Sequence, residues 1–287
     1  MVAAMSSGID DDRRRAYHEQ NRRSWNAVTE AHNSHKLDQA RFLREGGSTL
    51  FPDEVELLGC VAGQDVAHLQ CNCGQDSLSL AQLGARVTGV DIADEPIAFA
   101  RRLAEDAGIA ATFCRADVLD WLEESDQRFD AAFATYGVVG WLCDLWRWAR
   151  GVRRVLRPGG RLVLLEFHPS VWSYEKGGAL RDPYFLDGAI DEPGVRDYVG
   201  ERLAPSGYTA GVAEFENPEP SYGFQWTVAQ TMQALIDAGL VIEQVREYPY
   251  ANGCCLFEGM QELPGRRYGM PEGTPSMPLM FGLVARR

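Results

Sequence analysis

Two acids stand where a nucleoside could be held. Asp91 closes the apolar run RVTGVD, 17 positions after Gly74, and Asp117 lies 26 positions further on. A carboxylate at the end of the second strand of a strand–helix–strand unit can accept both hydroxyls of a ribose. A second acid can reach an adenine amino group, and it can equally cap a helix over Leu119 to Glu124. Ahead of Asp91 lies the turn Leu69-Gln70-Cys71-Asn72-Cys73-Gly74. A dinucleotide needs glycines there so that backbone can approach its pyrophosphate. Side chains occupy two of those positions, so a ligand with ribose and adenine but no phosphate fits better.

The elements that must position these groups follow from periodicity. DVAHLQ is a short apolar strand, CNCG a turn, and Asp76 or Ser77 can cap a helix that buries Leu78, Leu80, Ala81 and Leu83 and stops at Gly84. RVTGVD is the next strand, and a unit of this length is a right-handed crossover whose ligand lies beyond the strands' carboxyl ends. Asp94 can cap a helix running to Gly108, with Pro96 in its first turn, and ATFCRADVLDWL supplies a third strand ending near Asp117. FDAAFATYG is a fourth strand ending at Tyr136-Gly137. A helix through Leu142, Trp146 and Leu156 then ends in Arg157-Pro158-Gly159-Gly160, and RLVLLEFHP follows as the fifth strand. S-adenosylmethionine is a nucleoside ligand of the required kind: its carboxylate can take amides of the turn and its ribose can take Asp91.

At 287 residues, 45% apolar and 10% aromatic, the chain is expected to form one globular core with embellishments. A net charge of −13 works against an extended nucleic-acid footprint. No apolar run approaches membrane-spanning length, and MVAAMSSGID lacks the basic start and apolar core of a signal peptide, so a cytoplasmic location is expected. The seven cysteines lack zinc-site spacing and read as reduced, packed thiols, and the five histidines form no evident metal cluster. No metal is expected.

Residues 1–12 read as a disordered tail and residues 13–60 as an N-terminal helical cap. That segment precedes the first strand, so it either packs over one face or closes over the ligand, supplying Tyr17, Trp25, His32 or His35. Residues 61–287 form the main domain, with an insertion at about 169–225. Its many aromatics argue against disorder and for a substrate cap.

This order resembles the class I S-adenosylmethionine-dependent methyltransferases. HLQCNCGQDSLSLAQLGARVTGVD, RADVLDWL, and FDAAFATYGVVGWL with VRRVLRPGGRLVLLEFHP carry the resemblance, over roughly residues 61–169. The departure is the first motif, where His68, Gln70 and Asn72 replace an acid and two glycines of the usual pattern. The resemblance implies a Rossmann-like α/β fold: a seven-stranded sheet, parallel but for one antiparallel C-terminal strand, flanked by helices. Trp226 to Ala238 would be the helix, Leu240 to Tyr248 the sixth strand and Leu279 to Ala285 the seventh. The cofactor would be S-adenosylmethionine, leaving as S-adenosylhomocysteine. Its expected contacts are Gln70, Cys71, Asn72, Gly74, Asp91, Ile92, Asp117, Val118 and Tyr136.

Methyl transfer is an in-line displacement at a carbon already activated by a sulfonium, so a protein must align the nucleophile, exclude water and remove a proton. Glu166 and His168, at the end of the fifth strand, are the first candidate bases, with Tyr17 third; a Glu166–arginine ion pair and a His168 loop hydrogen bond are the alternatives. Trp25, His32, Trp141, Trp172 and Tyr222 are the expected substrate contacts. The expected substrate is a small organic molecule such as a specialised metabolite. A peptide-directed methyltransferase, a nicotinamide-dependent oxidoreductase and an inactive partner-binding scaffold remain as alternatives, and the sequence leaves homo-oligomerisation open.

Overall fold

The computed structural model describes residues 9–199 and 205–287. Helix α1 (Asp11–Ser34) starts at the Asp10 cap, whose side chain accepts from the Arg13 amide. Asp11 and Asp12 are therefore helical rather than part of a tail, and the remainder of that expectation, at residues 1–8, lies outside the described residues. Short helices α2 (Gln39–Arg44) and α3 (Pro52–Leu58) lead to the sheet.

The sheet is built from β1 (Asp65–Leu69), β2 (Arg86–Asp91), β3 (Thr112–Arg115), β4 (Phe129–Thr135) and β5 (Leu156–Phe167). Helices α4 (Gln75–Gln82), α5 (Asp94–Ala107), α6 (Val118–Glu124) and α7 (Leu145–Val155) alternate with them. Beyond β5 the chain makes β6 (Ile190–Glu192), β7 (Ser221–Gly223), α8 (Val228–Asp237) and β8 (Val241–Tyr248). It ends with β9 (Tyr250–Asn252), β10 (Met260–Leu263), β11 (Arg267–Pro271) and β12 (Met280–Arg286).

The strand order is β3-β2-β1-β4-β5-β12-β8. Strands β1 to β5 pair in parallel, while β12 runs antiparallel to both neighbours, with Phe281 opposite Glu166. This is the expected Rossmann-like arrangement. After β1 the chain winds one way to β2 and β3, then returns to place β4 on β1's other side. The crevice at that reversal is where such sheets hold ligands. The flanking helices bury apolar stripes against the sheet, with Trp148, Leu122, Leu142 and Phe133 fully inside.

Three details differ from the sequence expectation. The fourth strand stops at Thr135, because Tyr136 and Gly137 turn into the left-handed region (φ 48° and 92°). The Arg157-Pro158-Gly159-Gly160 turn lies within the span of β5, as an irregularity in its pairing with β4. Strands β9, β10 and β11 form a small antiparallel sheet between the sixth and seventh strands of the main sheet, and no single-sequence pattern announced it.

Candidate functional site

A cavity of about 280 Å³ opens at the carboxyl ends of β1, β2 and β4. Gln70, Cys71 and Asn72 form its floor, Asp91, Ile92, Asp117 and Val118 one end, and Tyr136 to Val138 a side. Helix α1 roofs it. Arg14, His18, Asn21, Trp25, Val28 and His32 recur at steps of four and three, so they share one face. That face is largely polar yet buried, because its partners are polar.

The turn after β1 takes the shape that glycines would give it. Gln70 and Asn72 sit at φ 54° and 47°, in the left-handed region that disfavours side chains. Asn72 tolerates this well and repays it locally: its Oδ1 accepts from the Cys73 amide at 2.7 Å. The Asn72 amide donates to Asp91 Oδ2 at 2.8 Å, and the Ala93 amide to Oδ1 at 2.9 Å. Burial raises the Asp91 pKa, and these amides pull against it. Lone pairs remain on both oxygens for sugar hydroxyls. His68, where the usual pattern has an acid, donates to or accepts from Ser77 Oγ at 2.7 Å; burial pushes its pKa down to about 4, so it is neutral.

Asp117 caps α6 through the Leu119 amide at 2.8 Å. Its other oxygen accepts from Arg14 at 2.9 Å and contacts His18 Nδ1 at 2.7 Å. Burial opposes ionisation of Asp117, yet His18 and Arg14 hold it below the ordinary carboxylate range. Burial alone would depress His18; the Asp117 contact outweighs it and lifts the imidazole to about 9. Asp117 thus lines the cavity while fastening α1 to the sheet, which limits it to sharing an oxygen with any adenine amino group.

Several expected site residues stand elsewhere. Glu166 lies behind the cavity wall: its oxygens accept from the Gly137 amide at 2.6 Å and the Val139 amide at 2.8 Å. Burial raises it to about 7 against the pull of those amides. It shapes the loop after β4 and does not line the cavity. His168 caps a short 3-10 turn through Ser170 and faces Glu247. Tyr17 packs edge-on against Tyr222 and Phe224, and its hydroxyl accepts from Arg13, so neither Tyr17 nor Tyr222 lines the cavity. Trp172 is 47% exposed and rests on Phe167. Gly74 serves packing: a Cβ there would lie 2.7 Å from Ala100 Cβ and from the Phe113 ring.

Trp25, His32 and Trp141 do line the cavity, with Trp25 and Trp141 edge to face at 5.5 Å. The insertion reaches it through Tyr198 and Val199, and Tyr198 packs on His32 at 4.4 Å. His18, Asn21, Lys36, His68, Gln75, Asp76, Thr135, Gly137, Val138 and Leu142 complete the walls, and sequence reading had missed them as site residues. The four-and-three spacing of α1 could have brought in His18 and Asn21. Nothing local marks Lys36. Tyr136 presents its ring to the cavity while its hydroxyl accepts from Asn252 at 2.8 Å. Asn252 in turn donates to Asp53, which also accepts from Tyr250 and Arg267, so the small sheet braces this wall.

One orphaned atom tests the cofactor. Gln70 Nε2 donates to the Val138 carbonyl at 3.1 Å, whereas its buried Oε1 has no partner and suits a donor such as an ammonium. With Asp91 for hydroxyls and Ile92 and Val118 for a flat base, the donor set fits an amino-acid nucleoside without phosphates.

A family model described as a methyltransferase domain matches residues 66–160. Over that stretch the chain is similar to a methyltransferase domain. A structure of an S-adenosylmethionine-dependent methyltransferase from Mesorhizobium loti aligns with TM-score 0.54 at 22% identity, over 82% of this chain and 96% of that one. The demethylmenaquinone methyltransferase of Tropheryma whipplei is 34% identical over 122 residues, 40% of this chain and 46% of its own length. An S-adenosyl-L-methionine-dependent Diels-Alderase of a Neonectria species is 32% identical over 143 residues, 47% of this chain and 53% of its own. The chain spans about half the length of these curated relatives. Among the described residues no helix is long and apolar enough to cross a membrane, and no group of three His, Cys, Asp or Glu could hold a metal.

Proposed function

We propose that the protein transfers a methyl group from S-adenosylmethionine to a small, largely aromatic organic molecule. The observation that carries this reading is the junction of two linings in one cavity. The Gln70–Asn72 turn with Asp91 forms one end; Trp25, Trp141, His32 and Tyr198 form an aromatic chamber beside Tyr136 and Gly137. Aromatic walls favour a flat acceptor, and a cavity of about 280 Å³ under α1 favours a small molecule over a peptide. The cofactor supplies the activated methyl; the chain aligns the acceptor, excludes water and takes its proton.

With Glu166 and His168 outside the cavity, His32 is the proton acceptor in this reading. Its Nε2 donates to the Arg196 carbonyl at 3.0 Å, which leaves Nδ1 as the accepting nitrogen. Burial lowers its pKa to about 4, so the ring rests neutral, and the Asp197 carboxylate at 3.9 Å favours its protonated form. As the sulfonium loses its charge the imidazolium gains one, and the net charge of the pocket is unchanged. The relatives named for demethylmenaquinone are consistent with a hydroxylated aromatic acceptor.

The test is to titrate S-adenosylhomocysteine by calorimetry and to incubate the protein with S-adenosylmethionine and a panel of phenols and quinols, scoring methylated product by mass spectrometry. Saturable binding with at least one methylated phenol or quinol is expected. No saturable heat would end the methyltransferase reading.

A further inference from the structure

One cation in the cavity wall, Lys36, has no counter-ion among the described residues. Lys36 follows α1, and its backbone is pinned by a bridge to Tyr208: the Leu37 amide donates to the Gly207 carbonyl at 3.0 Å, and the Thr209 amide to the His35 carbonyl at 2.9 Å. The side chain lines the cavity. Among the described residues its Nζ has one polar contact, the neutral Asn33 Oδ1 at 3.5 Å, and no carboxylate lies within ion-pair distance. Burial lowers its pKa, while Cys73, Asp76 and Asp197 pull the other way without pairing. A half-buried ammonium whose one contact among the described residues is a neutral amide oxygen at 3.5 Å is poorly compensated, and an anion in the cavity would complete it.

The neighbours of Lys36 say where that anion sits. Asn33 donates to Cys73 Sγ at 3.2 Å and accepts from Gln75 at 3.2 Å, so the ammonium stands beside the residues that open α4. Gln75 also donates to Gln39 at 2.8 Å, giving a neutral polar rim with no competing negative charge in hydrogen-bond contact. The N-terminus of α4, with eight residues, adds its positive end. Asp91 and Asp117 mark the sugar and base end of the same cavity. The anion that a phosphate-free amino-acid nucleoside carries is its carboxylate.

We propose that Lys36 is the counter-ion of the cofactor's carboxylate, so that the segment after α1, outside the matched residues 66–160, completes the cofactor site. This rests on the methyltransferase reading above. It also explains how a turn with Gln70 and Asn72 in place of glycines keeps its ligand: the charge that holds the amino-acid end comes from the cap. The cofactor then bridges cap and sheet.

The experiment compares two ligands by calorimetry on the full chain. S-adenosylhomocysteine carries the amino-acid end; 5′-methylthioadenosine has the same nucleoside and sulfur without it. Lys36→Met, which keeps the aliphatic stem, is expected to weaken S-adenosylhomocysteine about ten- to a hundredfold while 5′-methylthioadenosine stays within about twofold. Lys36→Arg, which keeps the charge, is expected to retain most of the affinity. Unchanged S-adenosylhomocysteine binding in Lys36→Met overturns the proposal. An equal loss for both ligands also overturns it, since that reports a collapsed cap. Wild-type protein that binds neither ligand would instead overturn the reading beneath it.

Discussion

A carboxylate that already accepts two amide hydrogens is a firm anchor, and the chain uses this twice. Asp91 does so at the cavity wall. Glu166 does so behind the wall, where it shapes the Tyr136–Val139 loop. Asp91→Ala is expected to weaken S-adenosylhomocysteine by roughly 1–3 kcal/mol, read by calorimetry; an unchanged constant would remove it from the ribose site. Glu166→Gln turns one acceptor into an NH2 group facing an amide N–H. Stability should fall by roughly 1–3 kcal/mol, and the activity that remains should keep the wild-type pH profile, because no base has been removed. A profile that loses its acidic limb would return Glu166 to catalysis.

At the scale of elements, α1 shows why a polar helix can be buried. Arg14 is only 2% exposed, yet it pairs with Asp117 and Asp120, and Asn21 exchanges hydrogen bonds with the backbone of Tyr222. Such a face docks only on matching polar partners, and here it carries Trp25 and His32 over the cavity. His18 makes the docking sensitive to alkali. Its folded pKa of about 9 exceeds the ordinary 6.5, so its contribution is complete below pH 6.5 and is lost as pH rises through about 9. The difference amounts to roughly 3 kcal/mol. Thermal melts from pH 7 to 10 should show a fall that His18→Gln lacks, with Asp117 and Cys143 the groups facing the ring. Parallel pH curves for the two proteins would refute it.

For the molecule as a whole, the wall of the cavity is braced from a distance. Arg267 on β11 donates to Asp53 at 2.8 Å, and Asp53 holds Asn252, which holds the Tyr136 hydroxyl. Arg267→Met leaves the nearly buried Asp53 with neutral partners only and should destabilise the fold by roughly 3 kcal/mol, lowering the melting temperature by several degrees. An unchanged melting temperature would show the small sheet to be an ornament. The charge of −13 acts at this scale too, disfavouring polyanionic partners and leaving Lys36 as a local exception inside the cavity.

The winding of the sheet was legible in the sequence because it rests on local patterns. Apolar runs of strand length, Gly84 and Gly108 after amphipathic stretches, and an acid closing RVTGVD are each written within about ten residues, and the positions of Asp91 and Gln70–Asn72 follow from that winding. Whether a side chain at the end of β5 enters the cavity was not legible. Glu166 and Phe167 differ by one position, and the direction of Glu166 depends on where the loop after β4 returns, 27 residues earlier in the chain. Lys36, Tyr198 and the Asp53–Asn252–Arg267 brace were equally hidden. Their contacts join segments separated by up to 214 residues, and no periodicity encodes a pairing that only closure of the fold brings about. The sequence by itself determined the crossover and set Asp91 and the Gln70–Asn72 turn at its mouth; the tertiary structure decided what else lines the cavity, because those groups come from the cap, the insertion and the loops.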